Sequence, residues 1–381
     1  MKLLRIKAKR LPLFKETLDI FFYAKQRIME DDKENLYNLF SNIYINPTEA
    51  IIGINASGKT SALKVILLAL NLINNEPINH IDTKEVLGNS KNVELSVYFY
   101  SSENEICKLK TKISAYEENE ERTYKITEEY LWKKNVKSIK TKADIFDFKD
   151  ISPFITRNEN EEFLSEDVSI MISYNKKIKG NFYFISMLSF TNMNILPVSE
   201  EIPLSVIKFL DPTIEKLYFE KNTKKNIIHL KFKNEDEIIL NNAKELENYL
   251  SSGTIKGIIA FTMAINVLKK GGYMVVDEIE NHFNKEIVST LVRFFMDIKL
   301  NKNGAVLIFT THYPEILDEF DRNDSIYITK NKDGICIENL SDILTRNDIK
   351  KSEAYKSGFL EGTTPAYDAY LELKKSILAS M

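Results

Sequence analysis

Short apolar runs in this chain lead directly into glycine or polar residues, which is typical of buried strands whose ends form a functional edge. The runs cover residues 50–52, 273–276 and 305–309. The first is followed by leucines at helical spacing (63, 67 and 70), and the apolar segment 255–268 has the length of a helix. Strands that alternate with helices predict an α/β fold with a mainly parallel core sheet flanked by helices.

The first fifty residues predict strands over 3–8 and 18–23, then an acidic link (30–34) that leads into a short helix. From Val93 to Tyr100 apolar and polar residues alternate, as in a half-buried strand. Further strands are expected around 107–113, 123–126, 227–232 and 237–240. Near the C-terminus, strands at 325–329 and 335–338 flank an Asp333-Gly334 turn, which predicts a hairpin. An amphipathic helix through Lys375 is expected after it.

These patterns suggest one α/β unit with insertions. The predicted parts are an N-terminal lobe (1–90), an antiparallel β-subdomain (91–142), an inserted mixed or helical lobe (143–250) and a C-terminal part (251–381). No sustained heptads occur, so a long coiled-coil arm is not expected.

Residues 53–60 fit the phosphate-loop pattern G-x-x-x-x-G-K-S/T at every fixed position, between a strand and a helix. Glycines at 53 and 58 allow backbone N–H groups to point at phosphates, at the positive end of the helix. Lys59 would reach the β- and γ-phosphates, and the Thr60 hydroxyl would hold Mg2+. The alternative is an ordinary glycine turn with an exposed lysine. The predicted ATP-binding residues are Gly53, Asn55, Ala56, Ser57, Gly58, Lys59 and Thr60.

The strand at 273–276 ends in two adjacent carboxylates, Asp277 and Glu278. Neighbouring residues on a strand point to opposite faces, so the pair can divide two roles. We predict that Asp277 faces the water shell of Mg2+ and that Glu278 is the general base that polarises the attacking water. Many strands end in solvated acids, so the pair alone is a weak signal. Together with the phosphate loop it indicates a nucleotide site.

Two further motifs indicate the class of ATPase. The sequence Leu-Ser-Ser-Gly-Thr at 250–254 resembles the Leu-Ser-Gly-Gly-Gln signature of ABC-type ATPases, with Ser252 and Thr254 as departures. His312, after the strand at 305–311, looks like their switch histidine, which senses the γ-phosphate. The resemblance implies a homodimer, or a higher homo-oligomer, in which Ser251, Ser252 and Gly253 contact ATP bound to the opposite subunit. The structural alternatives are a simple helix N-cap and a surface histidine.

The resemblance is closest to the non-transporter branch: SMC, RecF and OLD-type ATPases, and AAA-labelled relatives from prokaryotic phage-defence and abortive-infection systems. The run Ile-Glu-Asn-His-Phe-Asn at 279–284 replaces the transporter sequence after the paired acids. The resemblance implies an ATP-controlled switch for a separate effector, such as a nuclease or toxin. Only 69 residues follow His312, too few for the nuclease domain of OLD proteins. The chain also lacks the usual glutamine loop, because its one glutamine is Gln26; a substitute is expected within 183–194.

A net charge of −3 gives no global bias toward nucleic acid. The local candidate for a nucleic-acid surface is the basic run Lys133, Lys134, Lys137, Lys140 and Lys142 beside Trp132, although most lysine runs are solvated faces. If it binds nucleic acid, the alternative function is a RecF-like repair ATPase that contacts DNA directly. Two distant cysteines suit a reducing compartment, and no apolar stretch approaches the roughly 18 residues of a membrane span. We therefore expect a soluble, cytoplasmic protein without a leader peptide.

Overall fold

Two β-sheets enclose the helix that follows the phosphate loop. A computed structural model of the chain describes residues 1–118, 121–157, 164–188, 202–221, 226–281, 283, 285–358, 360 and 367–380. The strands are β1 (Lys2–Lys9), β2 (Leu18–Phe21), β3 (Tyr37–Phe40), β4 (Ile43–Ile45), β5 (Thr48–Ile52), β6 (Val93–Tyr100), β7 (Glu105–Glu118), β8 (Glu121–Asn135), β9 (Ile155–Thr156), β10 (Phe184–Ser186), β11 (Ile214–Lys221), β12 (Asn226–Phe232), β13 (Ile238–Leu240), β14 (Tyr273–Val276), β15 (Val306–Thr311), β16 (Ile326–Asn331) and β17 (Ile335–Asn339). The helices are α1 (Lys59–Ile73), α2 (Met171–Ile178), α3 (Leu204–Leu210), α4 (Ser252–Lys270), α5 (Lys285–Met296), α6 (Leu340–Ile343), α7 (Lys351–Lys356) and α8 (Tyr367–Ser380).

The core sheet has the strand order β10-β14-β15-β5-β16-β17 and is parallel except for β17, which returns antiparallel to β16. This agrees with the predicted α/β class and mainly parallel sheet. Successive side chains of a strand point to opposite faces of the sheet. Both faces of this sheet are covered, so both are apolar. One face packs with α1 through Ile51, Val275 and Ile308. The other packs with α4 and α5 through Ile52, Val276 and Phe309.

A second sheet is antiparallel, with the order β2-β1-β6-β7-β8-β9. Its inner face shares one hydrophobic core with α1, which is therefore covered by both sheets. Segment 91–142 thus shares a sheet with the N-terminal strands. A three-stranded sheet, β11-β12-β13, lies beside α3, and Leu210 of α3 packs closely on Gly257 of α4. Nothing in this arrangement tests the four-part division of the chain, which stays a prediction.

Two local expectations differ from the structure. The acidic link itself forms one turn of 3-10 helix (Asp31–Glu34), and the short helix expected after it is wrong, because the hairpin β3-β4 follows. Ser41 takes a left-handed φ of 45° in the hairpin turn. The polar face of β6 is also more covered than its alternation predicts. Tyr98 is buried because its ring lies 5.2 Å from that of Phe146, edge to face.

Along the described residues, none of the helices combines the length and the apolar character that a bilayer crossing requires.

Candidate functional site

Most of the predicted site residues follow three neighbouring parallel strands. β15 lies between β14 and β5, and the three strands end at Val276, Thr311 and Ile52. The carboxyl ends of parallel strands meet at one edge of a sheet, which is where ligands bind in open α/β folds. The phosphate loop, Asp277 with Glu278, and His312 therefore lie together at this edge.

The backbone of the phosphate loop requires glycine at two positions. A Cβ on Gly53 would lie 2.3 Å from both Ser57 Oγ and Thr329 Oγ1, which leaves no room for a side chain. Gly58 has a φ of 101° and is the N-cap of α1, where a Cβ would also meet Ile335. The loop therefore turns tightly into the N-terminus of α1, as a phosphate-binding loop must.

Strand β16 supports the loop from behind. Ser57 Oγ lies 2.7 Å from Thr329 Oγ1, and the Asn331 side-chain amide donates to the Ala56 carbonyl at 3.0 Å. Thr329 and Asn331 are two residues apart, so they share one face of β16. Ala56 has a left-handed φ of 59°, which alanine seldom adopts, and Asn331 helps to hold it there. Asn55 and Ala56 are exposed at the outer side of the loop.

Lys59 is buried across the loop. Its Nζ donates to the carbonyls of Gly53 at 3.0 Å and Ile54 at 3.2 Å, and lies 3.3 Å from His312 Nδ1. Burial lowers the pKa of Lys59, while the carboxylates of Glu278, Glu280 and Asp277 act against that shift. A buried ammonium held by loop carbonyls is well placed to exchange them for the oxygens of an anion.

Asp277 connects the loop to the neighbouring strand. Thr60 Oγ1 donates to Asp277 Oδ2 at 2.8 Å, and Thr310 Oγ1 donates to Asp277 Oδ1 at 2.6 Å. A hydroxyl and a carboxylate side by side are the hard oxygen donors that Mg2+ prefers. Within the described ranges no group of three or more His, Cys, Asp or Glu side chains could form a complete protein cage for a metal. Two protein oxygens suit Mg2+, which takes its remaining ligands from water and phosphate.

Glu278 has a strained backbone and a well-defined side chain. Its φ is 45°, a left-handed conformation that glutamate seldom adopts and that is often found at functional sites. The Glu278 N–H donates to Thr310 Oγ1 at 2.7 Å. Its Oε1 lies 3.4 Å from His312 Nε2, and its Oε2 accepts from the Asn281 side-chain amide. About a third of the Glu278 side chain (37%) remains exposed, so water can reach its carboxylate.

Three residues of this site were not assigned a role from the sequence. Thr310 bridges the two acids, Asn281 holds Glu278, and Glu280 accepts a hydrogen bond from the His312 backbone N–H. The second oxygen of Glu280, Oε2, is buried without a hydrogen-bond partner. Glu280 and Asn281 directly follow the paired acids, and this position was a usable signal in the sequence. Thr310 offered none, because its contact with Asp277 depends on which strands are neighbours in the sheet.

The signature-like segment lies apart from this cluster. Ser251 is the N-cap of α4, and its Oγ accepts from the Thr254 N–H at 3.0 Å, so the structural N-cap interpretation holds locally. Ser251 and Ser252 are exposed, and a Cβ on Gly253 would meet only Ser251 Oγ, at 3.8 Å. In the described part of the chain, no hydrogen bond or ion pair joins residues 251–253 to the phosphate loop. One chain alone does not bring these residues into the site.

The predicted basic run is largely used within the fold. Lys133 pairs with Glu105 at 2.8 Å, and Lys134 donates to the carbonyls of Asp144 and Asp147. Lys142 donates to backbone carbonyls at residues 24–26. This run is therefore a poor surface for phosphates. Of the stretch expected to replace the glutamine loop, 184–186 form β10, and 189–194 lie outside the described residues, as do His282 and Asn284.

A glycine loop that leads into a helix, a lysine folded across it and a strand-end aspartate bonded to the loop threonine define a P-loop nucleotide-binding protein. The chain belongs to the family described as AAA domain, putative AbiEii toxin, Type IV TA system, whose family model matches residues 50–318. This confirms the resemblance to AAA-labelled ATPases of abortive-infection systems. Membership in an AAA-domain family implies nucleotide binding, usually with Mg2+. No curated protein matches the sequence significantly.

Proposed function

We propose that this protein is an ATPase that closes into a dimer around two Mg-ATP molecules. Closing of the dimer would hold or release a separate effector, such as a toxin or nuclease. The observation that carries the proposal is the hydrogen-bonded series Thr60, Asp277, Thr310 and Glu278 beside Lys59. It joins a phosphate loop, a metal-type oxygen pair and a strained carboxylate at one sheet edge. The family description, which names a toxin and a toxin–antitoxin system, supports the effector setting.

Different groups of the chain would bind the phosphates and the Mg2+ ion. The N–H groups of residues 53–60 and the N-terminus of α1 would receive the phosphates, and Lys59 Nζ would leave the Gly53 and Ile54 carbonyls for phosphate oxygens. Thr60 and Asp277 would hold Mg2+, which when bound neutralises phosphate charge and polarises the phosphoryl group. In this proposal the four segments 1–90, 91–142, 143–250 and 251–381 belong to one ATPase unit, in which 143–250 is an inserted lobe.

Glu278 is the proposed general base. Its carboxylate is partly exposed, so it can accept a proton from water, and Asn281 orients it. His312 lies between Lys59 and Glu278, at 3.3 Å and 3.4 Å, and can respond when Lys59 changes partners. Glu280 fixes the position of His312 through its backbone N–H.

The dimer completes the pocket in this proposal. Ser251, Ser252 and Gly253 have exposed or open surroundings, and only the Ser251 cap is needed by their own helix. Because their surroundings are exposed or open, these residues are available to contact ATP bound to a second copy of the chain. The basic run at 133–142 gives little support to the RecF-like alternative, since three of its lysines are bound within the fold.

Replacing Glu278 tests the proposal. The Glu278→Gln protein should bind ATP and form a nucleotide-trapped dimer in light scattering, with turnover reduced by about a hundredfold or more, because the base is lost while its shape is kept. Lys59→Ala is the matched variant that should fail to bind ATP in a titration. Wild-type turnover by the Glu278→Gln protein would remove Glu278 from the role of base.

A further inference from the structure

The outer face of the antiparallel sheet is strongly basic, although the whole chain has a net charge of −3. Lys108, Lys110 and Lys112 alternate along β7 with the buried residues Leu109 and Thr111. Because side chains alternate across a sheet, the three lysines point away from the core that contains α1. They form a row on the outer side.

A second row of cations runs parallel to the first on β1. In the strand register, Arg5 lies opposite Tyr98, which lies opposite Lys108. In the same way Lys7 and Lys110 lie on either side of Ser96, and Lys9 and Lys112 on either side of Glu94. The two rows are separated by a single strand, β6. Pairing of distant segments therefore concentrates charge that is dispersed in the sequence.

The carboxylates on this face are too few for the cations. Glu94 is shared by Lys9 at 3.8 Å, Arg10 at 3.7 Å and Lys110 at 3.3 Å. Lys112 is paired separately, with Glu128 of β8 at 2.7 Å. Glu94, with three cations around it, still leaves an excess of positive charge.

The same shortage is seen at the neighbouring carboxylate. Asp19 is shared by Arg5 at 2.5 Å and Lys7 at 3.8 Å. Lys108 has no ion pair among the described residues; its Nζ lies 4.8 Å from the centre of the Trp132 ring. Such a surface attracts a polyanion.

Two aromatic rings lie among these cations. Tyr130 and Trp132 of β8 are paired across the sheet with Lys110 and Lys108, and both rings are partly exposed. Their centroids are 5.6 Å apart, with the planes tilted by 32°. Proteins that bind single strands combine cations along the backbone with aromatic platforms for unpaired bases. A duplex keeps its bases stacked inside and would not use these rings.

We propose that the surface formed by Lys7, Lys9, Lys108, Lys110, Lys112 and Trp132, the lysine face, binds single-stranded nucleic acid. The lysines receive the phosphates and the Tyr130–Trp132 pair receives bases. This face lies on the side of the sheet opposite α1, so the proposal does not depend on the nucleotide site and can be tested without ATP.

Trp132 is the single tryptophan of the chain, so its fluorescence reports directly on this face. The intact protein is titrated, without ATP, with oligothymidylate and oligouridylate of about 20 nucleotides and with a duplex of the same length. We expect quenching of Trp132 and an affinity that falls as KCl rises. The two single strands distinguish DNA from RNA as the source. Absence of quenching, or tighter binding of the duplex than of both single strands, would overturn the proposal.

A charge-matched pair of variants locates the binding. Lys7→Gln/Lys110→Gln/Lys112→Gln should weaken binding of the single strand about tenfold or more and reduce the salt slope by about 2, because three phosphate contacts are lost. The ion pairs removed are surface pairs of little value to stability. The control, Lys216→Gln/Lys233→Gln/Lys244→Gln, removes three exposed lysines elsewhere and should leave binding unchanged. Equal weakening in both variants would contradict a specific face.

Discussion

Glu278 shows how single residues prepare this site. Its left-handed backbone, with a φ of 45°, costs free energy of order 1–3 kcal/mol and persists only where neighbours hold it. The Thr310 hydroxyl accepts its N–H, and Asn281 accounts for one carboxylate oxygen. Its carboxylate lies beside His312 at the strand ends, with Oε1 3.4 Å from Nε2. The proposed base is therefore placed before any nucleotide arrives.

Glu49, on β5, allows a prediction about pH. It is fully buried, and burial raises its pKa well above the usual range, against the hydrogen bond that Asn46 donates at 3.2 Å. The folded state thus binds this proton more tightly than the unfolded state, so stability falls as pH rises above the ordinary glutamate pKa of about 4.3 toward the folded value. Glu49→Gln is neutral at every pH. The melting temperature of the variant minus that of the wild type should therefore increase steadily from pH 5 to pH 8.

The control for this measurement is Glu247→Gln, a change at an exposed glutamate, whose difference in melting temperature should not vary over the same range. A constant difference for Glu49→Gln, or one that shrinks as pH rises, would show that Glu49 is ionised in the folded protein.

At the scale of elements, β16 acts as a support for the phosphate loop. Thr329→Val/Asn331→Ala removes the contacts to Ser57 and to the Ala56 carbonyl, so the strained loop conformation becomes less populated. Each contact contributes about 1 kcal/mol, and we expect the ATP dissociation constant to rise up to about thirtyfold in a binding titration. Lys330→Ala, on the opposite face of the same strand, should have no such effect. Equal dissociation constants for the wild type and the double variant would refute this support.

The elements that the sequence predicts are those with strong local signals. The P-loop strand and helix, the strand before Asp277 and the hairpin around Asp333 follow from apolar runs and turn residues. Thr310 and Thr329 could not be assigned in this way, because their partners depend on the order β14-β15-β5-β16, which is set by pairing of distant segments. Their roles exist only after the sheet is assembled.

The positions of the lysines in the sequence do not predict where they cluster on the surface. The lysines at 133–142 are close in sequence, yet three of them bind within the fold. The lysine face collects β1 and β7, which lie far apart in sequence and meet across β6. Clustering along a chain is therefore a weak guide to clustering on a sheet.

At the scale of the whole molecule, the two hydrophobic cores separate the two halves of the proposed pocket. The helix of the phosphate loop, α1, packs on one face of the parallel sheet, and α4 with the signature-like segment packs on the other. This is consistent with the lack of described contacts between residues 251–253 and the loop. A pocket that needs both halves would then require a second copy of the chain.

The most direct test of this shared pocket mixes two inactive variants. Lys59→Ala removes the loop lysine; Gly253→Arg fills a position where a side chain meets open space in the monomer, so it should leave the fold intact. Each protein alone should hydrolyse ATP poorly. In an equimolar mixture each mixed dimer has one intact pocket, so the account predicts that activity is recovered, up to about a quarter of the wild-type rate when the subunits pair at random. A mixture that is no more active than its two components would contradict it.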